Sequence, residues 1–137
     1  MECPWGYNRL IHDFLDLLQR EDELAMQGHS FGPLSEERLT YGPEGLRIVS
    51  PMVYKGGNAA VQHVQCVRSV FRVFCRVCHR WMRGQDWTFV AWRMLDSNDA
   101  RFDQRYQQDY LLTLSEQSPR VYKNLLICIR KPRSSVL

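Results

Sequence analysis

The chain is 137 residues long, a length that supports one hydrophobic core and predicts a single domain over residues 1–137. It is 45% apolar and 24% charged, without a Pro/Gly excess or a long single-sign block, which excludes disorder, collagen-like repeats and low-complexity tails. The formal charge of +3 hides an asymmetry: residues 1–50 hold nine acids and four bases, whereas residues 51–137 hold six acids and fourteen bases.

The first periodic segment runs from about Tyr7 to Leu24. Tyr7, Leu10, Phe14, Leu17 and Leu24 share one stripe while Asp13, Asp16, Arg20 and Glu23 lie elsewhere, the pattern of an amphipathic helix. From Gly28 to Gly57 the periodicity fails. Gly32-Pro33, Gly42-Pro43, Ser50-Pro51 and Gly56-Gly57 punctuate a loop region with room for a short helix near Ser35 to Leu39 and a strand at Leu46 to Val49.

Asn58 suits the cap of a long helix reaching about Arg83, in which Ala60, Val64, Val67, Phe71, Phe74, Cys78 and Trp81 recur in steps of four and three. Gly84 ends it. Arg68, Arg72, Arg76, Arg80 and Arg83 occupy the opposite side, about 150° from the apolar stripe at about 100° per residue. Val70, Val73 and Val77 add a third apolar side, which predicts a central helix with more than one neighbour.

Trp87 to Leu95 follow, then the turn Asp96-Ser97-Asn98-Asp99, then Phe102, Tyr106, Tyr110 and Leu114 at helical spacing up to Ser118-Pro119. Pro119 suits the first turn of a last helix through about Lys131. The resulting fold class is all-α, a helical bundle around a central amphipathic helix. The alternative is α+β, with Leu111–Leu114 and Leu125–Ile129 paired as a C-terminal hairpin, because short apolar runs fit either element.

Several side-chain groupings have chemical potential. Cys75-x-x-Cys78-His79 has two thiols and an imidazole, but Cys78 belongs to the apolar stripe, Cys66 points about 180° from Cys75, and no second Cys/His pair completes a zinc site. We therefore expect no metal and no cofactor, and five reduced cysteines in a cytoplasmic setting. His12, His29, His63 and His79 stand in no recognisable arrangement with a nucleophile, and no phosphate-binding loop is present, so an enzyme is not expected. The stripe Arg68, Arg72, Arg76 and Arg80 near Trp81, Trp87 and Trp92 is the candidate surface for RNA or another polyanion. No apolar run approaches the ~20 residues that span a bilayer, and Arg9, Asp13 and Asp16 stand where a signal peptide is uncharged.

Two segments carry a family resemblance. The stretch from Cys3 to Gln19, with Tyr7, Arg9, Leu10, Asp13, Phe14 and Leu15, resembles the fourth homology motif in the first helix of the Bcl-2 family of apoptosis regulators. Gly84-Gln85-Asp86-Trp87-Thr88-Phe89-Val90-Ala91 resembles the first homology motif, with Thr88 and Phe89 in place of its glycine and arginine. The order along the chain agrees, and the two stretches cover about 25 residues. Leu125 to Ile129 is far too short for the family's hydrophobic anchor, so the expected likeness is to compact viral-type members without one.

The resemblance implies a Bcl-2-like bundle that binds the amphipathic helices of pro-apoptotic proteins in an apolar trough. It implies a non-enzymatic, inhibitory regulator of apoptosis, cytoplasmic and recruited to mitochondria by its partners, with homodimerisation as a further contact. Val64, Val67, Phe71 and Phe74 would line the trough, and Trp87 and Val90 would close it. Arg83 or Arg93 would supply the cation that meets the partner's aspartate.

Overall fold

The computed structural model of the chain describes residues 6–35, 37–42, 44–49, 53–55, 59–82 and 86–130. Its order is α1 (Gly6–Met26), β1 (His29–Ser30), β2 (Leu39–Gly42), β3 (Gly45–Ile48), β4 (Tyr54–Lys55), α2 (Ala59–Trp81), α3 (Thr88–Leu95), α4 (Gln104–Gln117) and α5 (Pro119–Arg130). The helices form a bundle, with α2 packed between α1 and α4, and α5 bridging α4 and α3. The expected long helix is α2. Its expected cap Asn58 and its expected end at Arg83 and Gly84 lie outside the described residues, as does the terminus 131–137.

The sequence of α2 explains its central place. One seam runs Val67, Phe71, Phe74, Cys78 and Trp81, and a second runs His63, Cys66, Val70, Val73 and Val77. Both advance in the three-and-four steps that keep residues on one helix face. Every member after His63 is buried. Cys66 and Cys75 are therefore both interior, although they point in opposite directions, because α2 has neighbours on opposite sides.

Aromatic rings fill the space between α1, α2 and α4. Phe14 stacks on Phe74 with centroids 4.1 Å apart, and Phe71 meets Phe14 at 5.3 Å and Tyr110 at 5.7 Å. Phe102 meets Tyr110 edge-on at 5.5 Å. Such offset and edge-on pairs each contribute about 0.5–1.5 kcal/mol beyond area burial.

The loop region differs from the sequence expectation. Residues 37–38 form a turn and Leu39 opens a strand, so the short helix near Ser35 is not formed. Polar and glycine residues there favour a hairpin, in which β2 pairs antiparallel with β3 from Leu39↔Ile48 to Gly42↔Gly45. The expected strand at Leu46 to Val49 is β3, shifted by one residue. Gly45 has φ +99°, and a Cβ there would lie 2.2 Å from the Asp13 carboxylate, so glycine alone permits the hairpin to approach α1. Asp13 accepts the Leu46 N–H at 3.2 Å, and Arg9 donates to the Glu44 carbonyl at 3.0 Å. A second pair of strands, β1 and β4, joins His29 to Lys55 and Ser30 to Tyr54.

The alternative C-terminal hairpin is contradicted, since Leu111–Leu114 lies in α4 and Leu125–Ile129 in α5. Asp103 explains the start of α4: its carboxylate accepts the N–H groups of Arg105 and Tyr106, which no intrahelical carbonyl can satisfy.

Phe71→Ala should lower stability by about 3–5 kcal/mol in urea denaturation, because α1 and α4 both contact the vacated volume. A loss under about 1 kcal/mol would show that the aromatic cluster is not the core.

Candidate functional site

The residues expected to line the trough do not form an open one. Val67, Phe71, Phe74, Trp87 and Val90 are all buried, and Val64, at 43% exposure, lies where α2 emerges from the bundle. Packing of α1 on one side of the stripe and α4 on the other closes it. Of the two cations expected at its edge, Arg93 is exposed on α3, whereas Arg83 lies outside the described residues.

The segment resembling the first homology motif does build a surface. The Asp86 carboxylate accepts the backbone N–H of Thr88 at 3.0 Å and bonds its hydroxyl, securing the start of α3. Asn124 of α5 donates to the other oxygen of the same carboxylate, tying α3 to α5. Burial opposes the charge of this carboxyl, but the bonds from Thr88 and Asn124 outweigh it and hold its pKa below the usual range. Trp87 then turns inward and is fully buried.

Two residues later Phe89 projects outward, 53% exposed, and Arg93 one turn on places its guanidinium over the Phe89 ring at 5.8 Å. Arg93 also borders a cleft of about 250 Å³ between α1 and α3, lined by Asn8, Ile11, Arg93, Asp96 and Ser97. Arg93 thus stands between the Phe89 ring and a cleft whose other lining residues are Ile11 and the polar Asn8, Asp96 and Ser97. Phe89 was missed as a site residue because the family motif places arginine there; an exposed aromatic one helical turn from an arginine was the available signal.

A second grouping is buried. Glu21 is 1% exposed, and its carboxylate receives the Ser30 hydroxyl at 2.5 Å and the Phe31 N–H at 3.0 Å. The His63 ring bridges the carboxylates of Glu21 and Asp22, with each ring nitrogen 3.3 Å from one of them. Asp22 also receives the Tyr106 hydroxyl and pairs with Arg105 at 3.4 Å. Burial, reinforced by Glu21, pushes the Cys66 thiol far above its ordinary pKa, and burial alone pushes Cys75 up to about 12, so neither is a ready nucleophile. Cys75 and Cys78 turn into the core while His79 faces solvent, so the three are not brought together.

Among the described residues, His12, Asp13 and Asp16 bring candidate ligand atoms within 4.8 Å of one another. Asp16 is held by His12 at 3.2 Å and by Arg101, while Asp13 serves the hairpin and lies 3.9 Å from Arg9. The Arg101 and Arg9 guanidinium groups thus already face these two carboxylates. The arginine stripe is arranged as expected: Arg68, Arg72, Arg76 and Arg80 all lie on the exposed side of α2. No protein-family model, curated protein or solved structure matches the chain. No helix among the described residues is long and apolar enough to cross a membrane.

Arg101 hydrogen-bonds Asp99 and holds its carboxyl at a pKa of about 2. A carboxyl depressed on folding stabilises the fold above its unfolded pKa of about 4, and this contribution disappears as pH falls through about 2. Asp99→Asn should therefore flatten the acid limb of stability against pH in that window, followed by urea denaturation. An unchanged slope would show that Arg101 does not hold this charge.

Proposed function

We propose that the protein is a non-enzymatic regulator that binds the amphipathic helix of a pro-death partner at the α1/α3 cleft and thereby restrains apoptosis. The observation that carries this reading is the Phe89–Arg93 pair beside the Ile11 wall. A partner helix recognised through apolar anchors at i, i+3/i+4 and i+7 and one aspartate needs an apolar surface with a cation at its edge. Ile11 inside the cleft and Phe89 on the far side of Arg93 offer the first, and Arg93, which shares the cleft with Asp96, offers the second. The two Bcl-2-like segments support the choice of partner, since one contributes α1 and the other begins α3. Cytoplasmic residence with recruitment to mitochondria through such partners belongs to the same proposal.

A second reading, binding of RNA or another polyanion, is favoured by one observation: Arg68, Arg72, Arg76 and Arg80 project to solvent along a single helix. Successive arginines lie about 6 Å apart along its axis, four residues at 1.5 Å each. Backbone phosphates could be followed at that interval without base recognition.

Calorimetry with pro-death helix peptides tests the first reading, and duplex RNA in the same instrument separates the second. Phe89→Ala and Arg93→Ala should each weaken peptide binding about tenfold or more, the loss of an apolar anchor and of a charge-assisted contact worth ~1.5–3 kcal/mol. Failure of every peptide to bind folded protein at high micromolar concentration would overturn the reading. Binding that ignores both substitutions would remove the α1/α3 cleft as its site.

A further inference from the structure

A groove of about 410 Å³ runs between the last two turns of α1 and the strands. Its apolar lining is Leu24 from α1, Phe31 after β1, Ile48 of β3 and Val53 before β4. Phe31 is buried, and Leu24 and Ile48 pack against the core, so the bundle fixes this wall. Other apolar groups stand out from the same face. Met26, next in the chain to the lining residue Gln27, is 89% exposed, and Val53 is 49% exposed. The face therefore offers both a recess and side chains that need one.

Arg20 and Glu23 form the helical rim of the groove. They lie three residues apart, about 4.5 Å along the axis, and both are exposed on the outward side of α1. Among the described residues neither has an ion-pair partner, and Glu23 accepts the neutral Gln19 amide at 3.3 Å. Charges on the far side of the rim are already met, Asp16 by His12 and Arg101, and Arg47 by Glu44. Asp22 turns toward α2 and α4, where His63 and Arg105 meet it. Lys55 of β4, two residues after Val53, adds one exposed base on the strand side.

A rim with one unmatched charge of each sign fits poorly against a polyanion or an anionic bilayer, which would attract Arg20 and repel Glu23. A second copy of the chain carries both signs in the complementary order, and a twofold dimer sets one patch against itself. Where two α1 helices cross antiparallel about an axis between Glu21 and Asp22, Arg20 faces Glu23 of the other copy, and Glu23 faces its Arg20. Moving the axis to Glu23 would set like charges against each other. We propose that the protein forms a twofold dimer through this groove, with the Arg20 and Glu23 rims crossed and the two apolar walls closed on one another. The dimer is independent of the partner-helix proposal because it uses neither Phe89 nor Arg93.

Sedimentation velocity of the full chain over a concentration series tests it. The wild type should pass from monomer to dimer as concentration rises. Arg20→Glu and Glu23→Arg should each weaken the dimer about tenfold or more, since each sets two like-charged pairs across the axis. Mixing these two variants should restore a dimer with one copy of each, and combining both substitutions in one chain should restore it as well. Val53→Asp should abolish the dimer. Circular dichroism should be unchanged throughout, because all three side chains are exposed. Dimers indifferent to the single charge reversals, or single variants that fail to restore a dimer on mixing, would overturn the proposal. A wild type that stays monomeric at every concentration would also overturn it, and loss of pro-death peptide binding in Val53→Asp would then give the groove to that partner instead.

Discussion

A carboxylate withdrawn from water must be met by polar partners, and Glu21 is met by three. The three groups come from two places: Ser30 and Phe31 reach it from β1 and the residue after it, and the His63 ring lies 3.3 Å from it on α2. Leaving a buried polar group without its partner costs about 1–3 kcal/mol, and because hydrogen bonds are directional the cluster constrains how these elements meet as well as that they meet. It fixes the angle and register of α1 against α2. Asp22, next in the chain, extends the same constraint to α4 through Tyr106 and Arg105.

The closed trough follows from this clasp. With α1 and α4 both held against α2, the Phe71 and Phe74 rings have neighbours on every side, and the apolar stripe becomes core. Exposed apolar surface is displaced to the periphery, on the short α3 and at the end of α5. The hairpin formed by β2 and β3 contributes support rather than chemistry, since Asp13 and Arg9 hold it through backbone groups.

The helices were legible because their signals are local. Steps of three and four mark α2 within two residues of its ends, and Pro119 marks the first turn of α5. The hairpin was not legible as such, since its turn depends on a single glycine whose need appears only when Asp13 stands 2.2 Å from the missing Cβ. Glu21 was overlooked although Leu10, Phe14, Leu17 and Leu24 leave it the vacant stripe position between Leu17 and Leu24; an acid there signals a buried partner. His63 opens the second seam of α2 in the same manner. The trough residues were read correctly as one face, but periodicity distinguishes inside from outside only, and it carries no information on whether an interior face is open to a ligand.

Amide chemical-shift mapping on nitrogen-labelled protein titrated with a pro-death helix peptide tests most directly where a partner binds. Shifts centred on Ile11, Phe89 and Arg93, with the Glu21–His63 contact undisturbed, are the predicted result. Shifts running along Val64, Val67, Phe71 and Phe74 instead would contradict it, because they would require the clasp to open and the core to become the groove.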